Sequence, residues 1–126
     1  MTRYLISFDD GAMDHIPDEE IPDAGKAAHA VIQEAVNAGA WVLGGGLLRQ
    51  RATVVGTDGL VTDGPFPETK EVIGGFAIVD VASRAEAEAW AAKIAFACRC
   101  AQEVREIMPD EEQDEMLRRG ATDSRA

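Results

Sequence analysis

Three observations predict an α+β fold. Two alanine-rich stretches, 24–36 and 84–98, carry apolar residues at helical spacing, while stretches near 3–8, 41–48, 72–81 and 101–108 are rich in β-type residues. A short strand pair falls in the middle, at 52–62. The resulting order is strand, helix, strand, short strand pair, strand, helix, strand, helix. That is a split βαβ pattern with an inserted hairpin, the ferredoxin-like arrangement. At 126 residues the chain makes one domain, and 46% apolar residues can fill one modest core.

The first strand, Arg3 to Phe8, sets Tyr4, Ile6 and Phe8 on one face and Leu5 on the other. Apolar residues on both faces mark it as central. Residues 9–22 form a polar loop with Gly11, Pro17 and Pro22, long for a domain of this size. Such loops serve as lids and binding loops, or simply as solvated surface. Asp23 is expected to cap the first helix. Ala24, Ala27, Ala28, Val31, Ile32, Ala35 and Val36 form its apolar stripe, and Gly39 is the expected residue just past its end. Trp41 to Leu48 reads as a strand interrupted by Gly44-Gly45-Gly46. Glycines there mark either a bulge or a place where something approaches the backbone closely.

Thr57-Asp58-Gly59 is a turn between two short strands. Val72 to Val81 is the next clear strand. Ser83 with Glu86 makes a capping box for the second helix, whose stripe is Ala87, Trp90, Ala91, Ile94 and Cys98. Pro109 stops the last strand. A short helix over 110–119 starts acidic and ends at Arg118-Arg119, matching the helix dipole, and Gly120 is expected to end it. Residues 1–109 read as the domain, and 110–126 as a C-terminal helix and tail.

Two helices can cover only one face of such a sheet. The strands nevertheless carry apolar residues on both sides, which would leave a monomer with a larger bare patch than soluble monomers show. A homodimer with sheets facing each other is therefore expected.

The formal net charge is −11, from 12 basic and 23 acidic residues. That argues against direct binding of nucleic acid or an anionic membrane surface, both of which need clustered Lys and Arg. No apolar run approaches the ~18 residues of a membrane span. The start of the chain lacks the length and cleavage site of a signal peptide, so a cytoplasmic location is expected. The two cysteines, Cys98 and Cys100, fit a reducing compartment.

The most informative stretch is Val61 to Phe76. Asp63-Gly64-Pro65 is a turn, and Pro65 and Pro67 stiffen the backbone on either side of Phe66. A stiff loop presenting one carboxylate and one aromatic suits a site, although it also suits an ordinary connection with Phe66 as a plug. Asp63-Gly64-Pro65-Phe66, followed by Glu68-x-Lys70-Glu71 and Gly74-Gly75-Phe76, resembles the signature of the DGPF branch of the YCII-related family. The resemblance extends over most of the chain. It implies a dimeric α+β barrel. It also implies a pocket between helix and sheet lined by a histidine and a carboxylate. DGPF proteins look to be encoded near, or fused to, extracytoplasmic-function sigma factors, which implies a regulatory link.

His29 is the candidate general acid/base, because its register with Ile32 and Val36 puts it at the edge of the buried stripe. Asp63 is its candidate carboxylate partner. Phe66 would wall an apolar pocket, Gly45 and Gly46 would let a ligand approach the backbone, and Lys70 would stand at the rim. Each has a plain structural alternative: a hydrogen-bonded helix histidine, a turn-capping aspartate, a bulge, a surface pair of Glu68 with Lys70. Arg105 beside Glu103 reads as an ion pair before an anion site. Cys98-Arg99-Cys100 lacks nearby co-ligands, so the thiols read as inert and no metal is expected. No P-loop, dinucleotide fingerprint or nucleophile elbow is present, and no cofactor is implied. Two functions follow. One is a cofactor-free enzyme for a small molecule using His29 and Asp63. The other is a non-catalytic dimeric module that binds a ligand or a protein.

Overall fold

The computed structural model of the chain describes residues 1–49, 52–63 and 72–123. The elements run β1 (Thr2–Asp9), α1 (Ile21–Asn37), β2 (Trp41–Gly46), β3 (Thr53–Val55), β4 (Val61–Asp63), β5 (Ile73–Val81), α2 (Arg84–Cys98), β6 (Glu103–Glu106) and α3 (Glu111–Asp123). Strands β2-β5-β1-β6 form one sheet in that order, and every neighbouring pair is antiparallel. Strands β3 and β4 make a separate antiparallel ribbon. Among the described residues the fold is mixed α+β, with an antiparallel sheet and three α-helices.

Register decides which side chains meet the helices. Tyr4 pairs with Val79 and Ile6 with Ala77, and these residues join Val81, Ala87 and Ala91 in the core. Ile6 and Val79 are wholly shielded from solvent at the centre. Burying side chains of this size contributes about 1.5–3 kcal/mol each. The alternate row, Leu43 opposite Ile78 and Ile78 opposite Leu5, lies on the other face of the sheet. Helices α1 and α2 pack on the opposite side, and α3 is joined to this face through Arg3, which shares the row of Leu5.

Both helix pairings with the sheet have local causes. Helix α1 begins at Ile21, ahead of the expected Asp23 cap, and no side chain caps it. Pro22 explains the difference: in the first turn its missing N–H costs nothing and its fixed φ favours the helix. Gly39, at φ 72°, ends the helix. Its N–H donates to Val36 and that of Ala40 to Ala35, the double closure of a Schellman motif. At α2 the Ser83 hydroxyl accepts from Glu86 N–H at 3.2 Å, and the Glu86 carboxylate accepts from Ala82 N–H. Lys93 of α2 pairs with Glu34 of α1, and Arg99 with Glu20, tying the helices together at their exposed edges.

Two other elements stand apart. Among the described residues the β3–β4 ribbon packs against no other strand or helix, and α3 lies across a groove from β1. Helix α3 is tethered by Arg3, which donates to Asp114 at 3.1 Å. It also runs through Gly120, which the sequence marks as a stop. A glycine in a helix interior costs only about 1 kcal/mol relative to alanine and does not by itself end the helix.

Two glycines test this architecture differently. A Cβ on Gly39 would meet nothing within 4 Å, so Gly39→Ala carries only the penalty of its positive φ. A loss of about 1 kcal/mol in denaturant unfolding is expected. A Cβ on Gly44 would lie 2.5 Å from the Phe76 carbonyl oxygen and 2.8 Å from the Ala77 Cα. Gly44→Ala should therefore cost clearly more than Gly39→Ala, on the order of 2–3 kcal/mol.

Candidate functional site

Small residues open a space between the helices and one end of the sheet. On the helix-facing side, β5 passes from Val81 and Val79 to Ala77 and Gly75, while β2 contributes Gly44 and Gly46 opposite Ala77 and Gly75. Helix α1 faces this end with Ala24, Gly25 and Ala28. The result is a cavity of about 280 Å³ between α1, α2 and the sheet.

Two aromatics shape its walls by lying over glycines. A Cβ on Gly75 would fall 2.4 Å from Cζ of Phe8, and one on Gly44 would fall 2.9 Å from Cη2 of Trp41. Phe8 and Trp41 both line the cavity, with Met13, Ile32 and Ile94. Ala24, Ala77 and Cys98 are buried at its base, and Ile21, Gly25, His29, Gly45 and Gly46 are exposed around its mouth. The loop carrying Met13 is held by Arg49, which donates to Asp10 at 2.9 Å and Asp14 at 2.7 Å.

Of the residues singled out in the sequence, the structure brings His29, Gly45 and Gly46 to this cavity. His29 is more exposed than its helical register predicts, because the glycines and alanines around it leave the imidazole at the mouth instead of against a packed wall. Among the described residues it makes no hydrogen bond and no ion pair. Asp63 is exposed at the end of β4, paired in register with Thr53, and does not line the cavity. Phe66 and Lys70 lie outside the described residues. Arg105 does pair with Glu103, at 2.8 Å.

No sequence signal marks Gln102 as part of the site. This side chain reaches the cavity from the turn after α2, where no periodicity calls attention to it. Its amide donates to the Cys100 carbonyl oxygen at 3.3 Å and to Cys100 Sγ at 3.5 Å. The turn exists because Arg99 adopts a left-handed conformation, φ 58°, at the end of α2. Both cysteines are free. Burial pushes the Cys98 thiol above its ordinary value of 9.0. Burial also raises Cys100, and the neighbouring Cys98 raises it further, against a smaller lowering by the Gln102 hydrogen bond.

The profile of the YCII-related domain matches residues 4–111. The chain belongs to the YCII-related family. Helix α3 begins where that match ends. No curated protein matches the chain. Among solved structures, it is similar to 5-chloro-2-hydroxyhydroquinone dehydrochlorinase from Burkholderia phenoliruptrix AC1100, in complex with 2,5-dihydroxybenzoquinone. The identity is 16%, the TM-score is 0.49, and the match covers 88% of this chain and 97% of that one. Among the described residues, no helix is long and apolar enough to cross a membrane.

The raised thiols give a direct prediction. A thiol that keeps its proton to higher pH has less thiolate at any pH below its own pKa. Iodoacetamide should alkylate folded Cys98 and Cys100 more slowly than an unfolded control at pH 8, with rates still climbing above pH 9.0. Equal rates for folded and unfolded protein would contradict the buried placement.

Proposed function

We propose that this YCII-related chain is a cofactor-free enzyme acting on a small, largely apolar molecule in the cavity between α1, α2 and the sheet. His29 moves the proton. The observation that carries this reading is one imidazole at the mouth of a largely apolar cavity of about 280 Å³, near the lower end of small-molecule sites. An apolar wall positions a compact ligand, and an imidazole at its edge is the usual group for proton transfer. Isomerisation and elimination are the reaction types such a site serves with no further group.

Asp63 is proposed as the carboxylate partner of His29. This role requires the β3–β4 ribbon to bring Asp63 to the cavity mouth. Phe66 is proposed as apolar wall, and Lys70, Gly45 and Gly46 as ligand contacts at the rim. We also propose a homodimer of the ferredoxin-like, split βαβ unit, joined through the sheet face that carries Leu5, Leu43 and Ile78 to give a dimeric α+β barrel. Leu43 is 61% exposed in the single chain, which supports that face as the contact.

A second reading has its own support. Val55, Leu60 and Val61 are each at least 60% exposed on a ribbon that, among the described residues, packs against no other element. An isolated two-stranded ribbon is marginal in water, so a protein partner would stabilise it. That favours a regulatory binding module of the kind linked to extracytoplasmic-function sigma factors, and the acidic surface suits a basic partner.

A probe reaction separates the two. 3-Cyclohexenone becomes conjugated 2-cyclohexenone when a base removes a proton from C2 and an acid returns one to C4, and ultraviolet absorbance follows the change. The enzyme reading predicts acceleration over buffer, falling by about 10²–10⁴ in His29→Ala. An Asp63→Asn, His29→Ala double-mutant cycle should be non-additive if the two act as a unit. No acceleration by the unaltered protein would leave the binding module as the better account. For the dimer, sedimentation at micromolar concentration should give twice the 13.5 kDa chain mass; a stable monomer would contradict it.

A further inference from the structure

Gln102 has a consequence for what the cavity accepts. Its amide nitrogen donates to Cys100, with the backbone oxygen at 3.3 Å and the sulfur at 3.5 Å. A primary amide has two donor hydrogens and one carbonyl oxygen. With the nitrogen turned toward Cys100, Oε1 is the group left to accept. No described donor bonds to it, and it is not among the buried polar atoms left without a partner. The other cavity walls named above are mostly apolar, with His29 at the mouth, the Cys98 thiol at the base, and one heteroatom each on Trp41 and Met13.

We propose that Gln102 is the specificity-determining acceptor of this site, selecting ligands of single-ring size that carry a hydroxyl or N–H donor on an apolar body. The inference rests on the cavity being a ligand site, as proposed above. Its physical basis is desolvation. An apolar cavity alone disfavours a hydroxyl, because the ligand gives up its hydrogen bond to water on entry. An acceptor waiting inside reverses that preference. Discrimination by a site group built to hydrogen-bond a ligand exceeds discrimination by shape, because the mismatched ligand leaves the group unpaired. The volume sets the size class, since about 280 Å³ holds one ring with small substituents and little more.

The test uses phenol and toluene, which are nearly isosteric and differ in one donor. Binding is followed through the amide resonances of Gly45 and Gly46 at the cavity mouth. The unaltered protein should bind phenol at least as tightly as toluene. In Gln102→Leu, phenol should weaken roughly tenfold relative to toluene, while toluene still binds and so reports an intact cavity. Gln102→Glu keeps an acceptor and should retain the phenol preference better than the leucine variant. A toluene preference in the unaltered protein that Gln102→Leu leaves unchanged would overturn the inference while leaving the cavity reading in place. Failure of both probes to bind would remove the cavity reading and this inference with it.

Discussion

The site depends on two rings lying on two glycines. Phe8 rests where a side chain on Gly75 would be, and Trp41 rests where one on Gly44 would be. Both contacts are too close for any Cβ. Without side chains at these positions, the ring ends reach over the glycines of the sheet. The helices are held at their spacing by the other end of the sheet, where Tyr4, Val79, Val81, Ala87 and Ala91 close the core. The same strands therefore build a filled core at one end and a cavity at the other. An enclosed void of about 280 Å³ would cost on the order of 7 kcal/mol at ~24 cal/mol per Å³. The open mouth keeps the actual cost below that.

The polar groups follow from how the elements end. Helix α1 faces the sheet's small-residue end with its first half, His29 exposed at the mouth and Ala24 buried at the base. Helix α2 finishes with Cys98 against the cavity, and the left-handed Arg99 turns the chain so that Gln102 reaches it. The exposed pairs Lys93–Glu34 and Arg99–Glu20 add little free energy. Their role is to fix the edges of the two helices relative to each other and to the turn that leads into α1.

Much of the fold was legible in the sequence because it rests on local signals. The Ser83 and Glu86 cap, the Gly39 stop and the alternation in β5 each act over a few residues, and each is present. Signals that compete were misread. Asp23 looked like a cap while Pro22 was setting the helix start, and Gly120 looked like a stop although the helix passes through it. The site was partly legible: His29 has a register, and Gly45 and Gly46 lie in a conspicuous run. Gln102 has neither, since its position depends on one backbone reversal at Arg99 and on packing between distant elements. The Asp63 to Lys70 stretch carried the family resemblance, but its chemical role depends on tertiary placement that sequence spacing does not supply.

The central claim is that glycine-seated aromatics hold open a persistent apolar cavity between α1, α2 and the sheet. A crystal of the protein pressurised with xenon tests it most directly, because xenon occupies apolar cavities without needing a hydrogen bond. The account predicts xenon density bordered by Trp41, Ile32 and Ile94, with Phe8 and Trp41 still lying over Gly75 and Gly44. Density absent from this space, with either ring turned into it, would contradict the account.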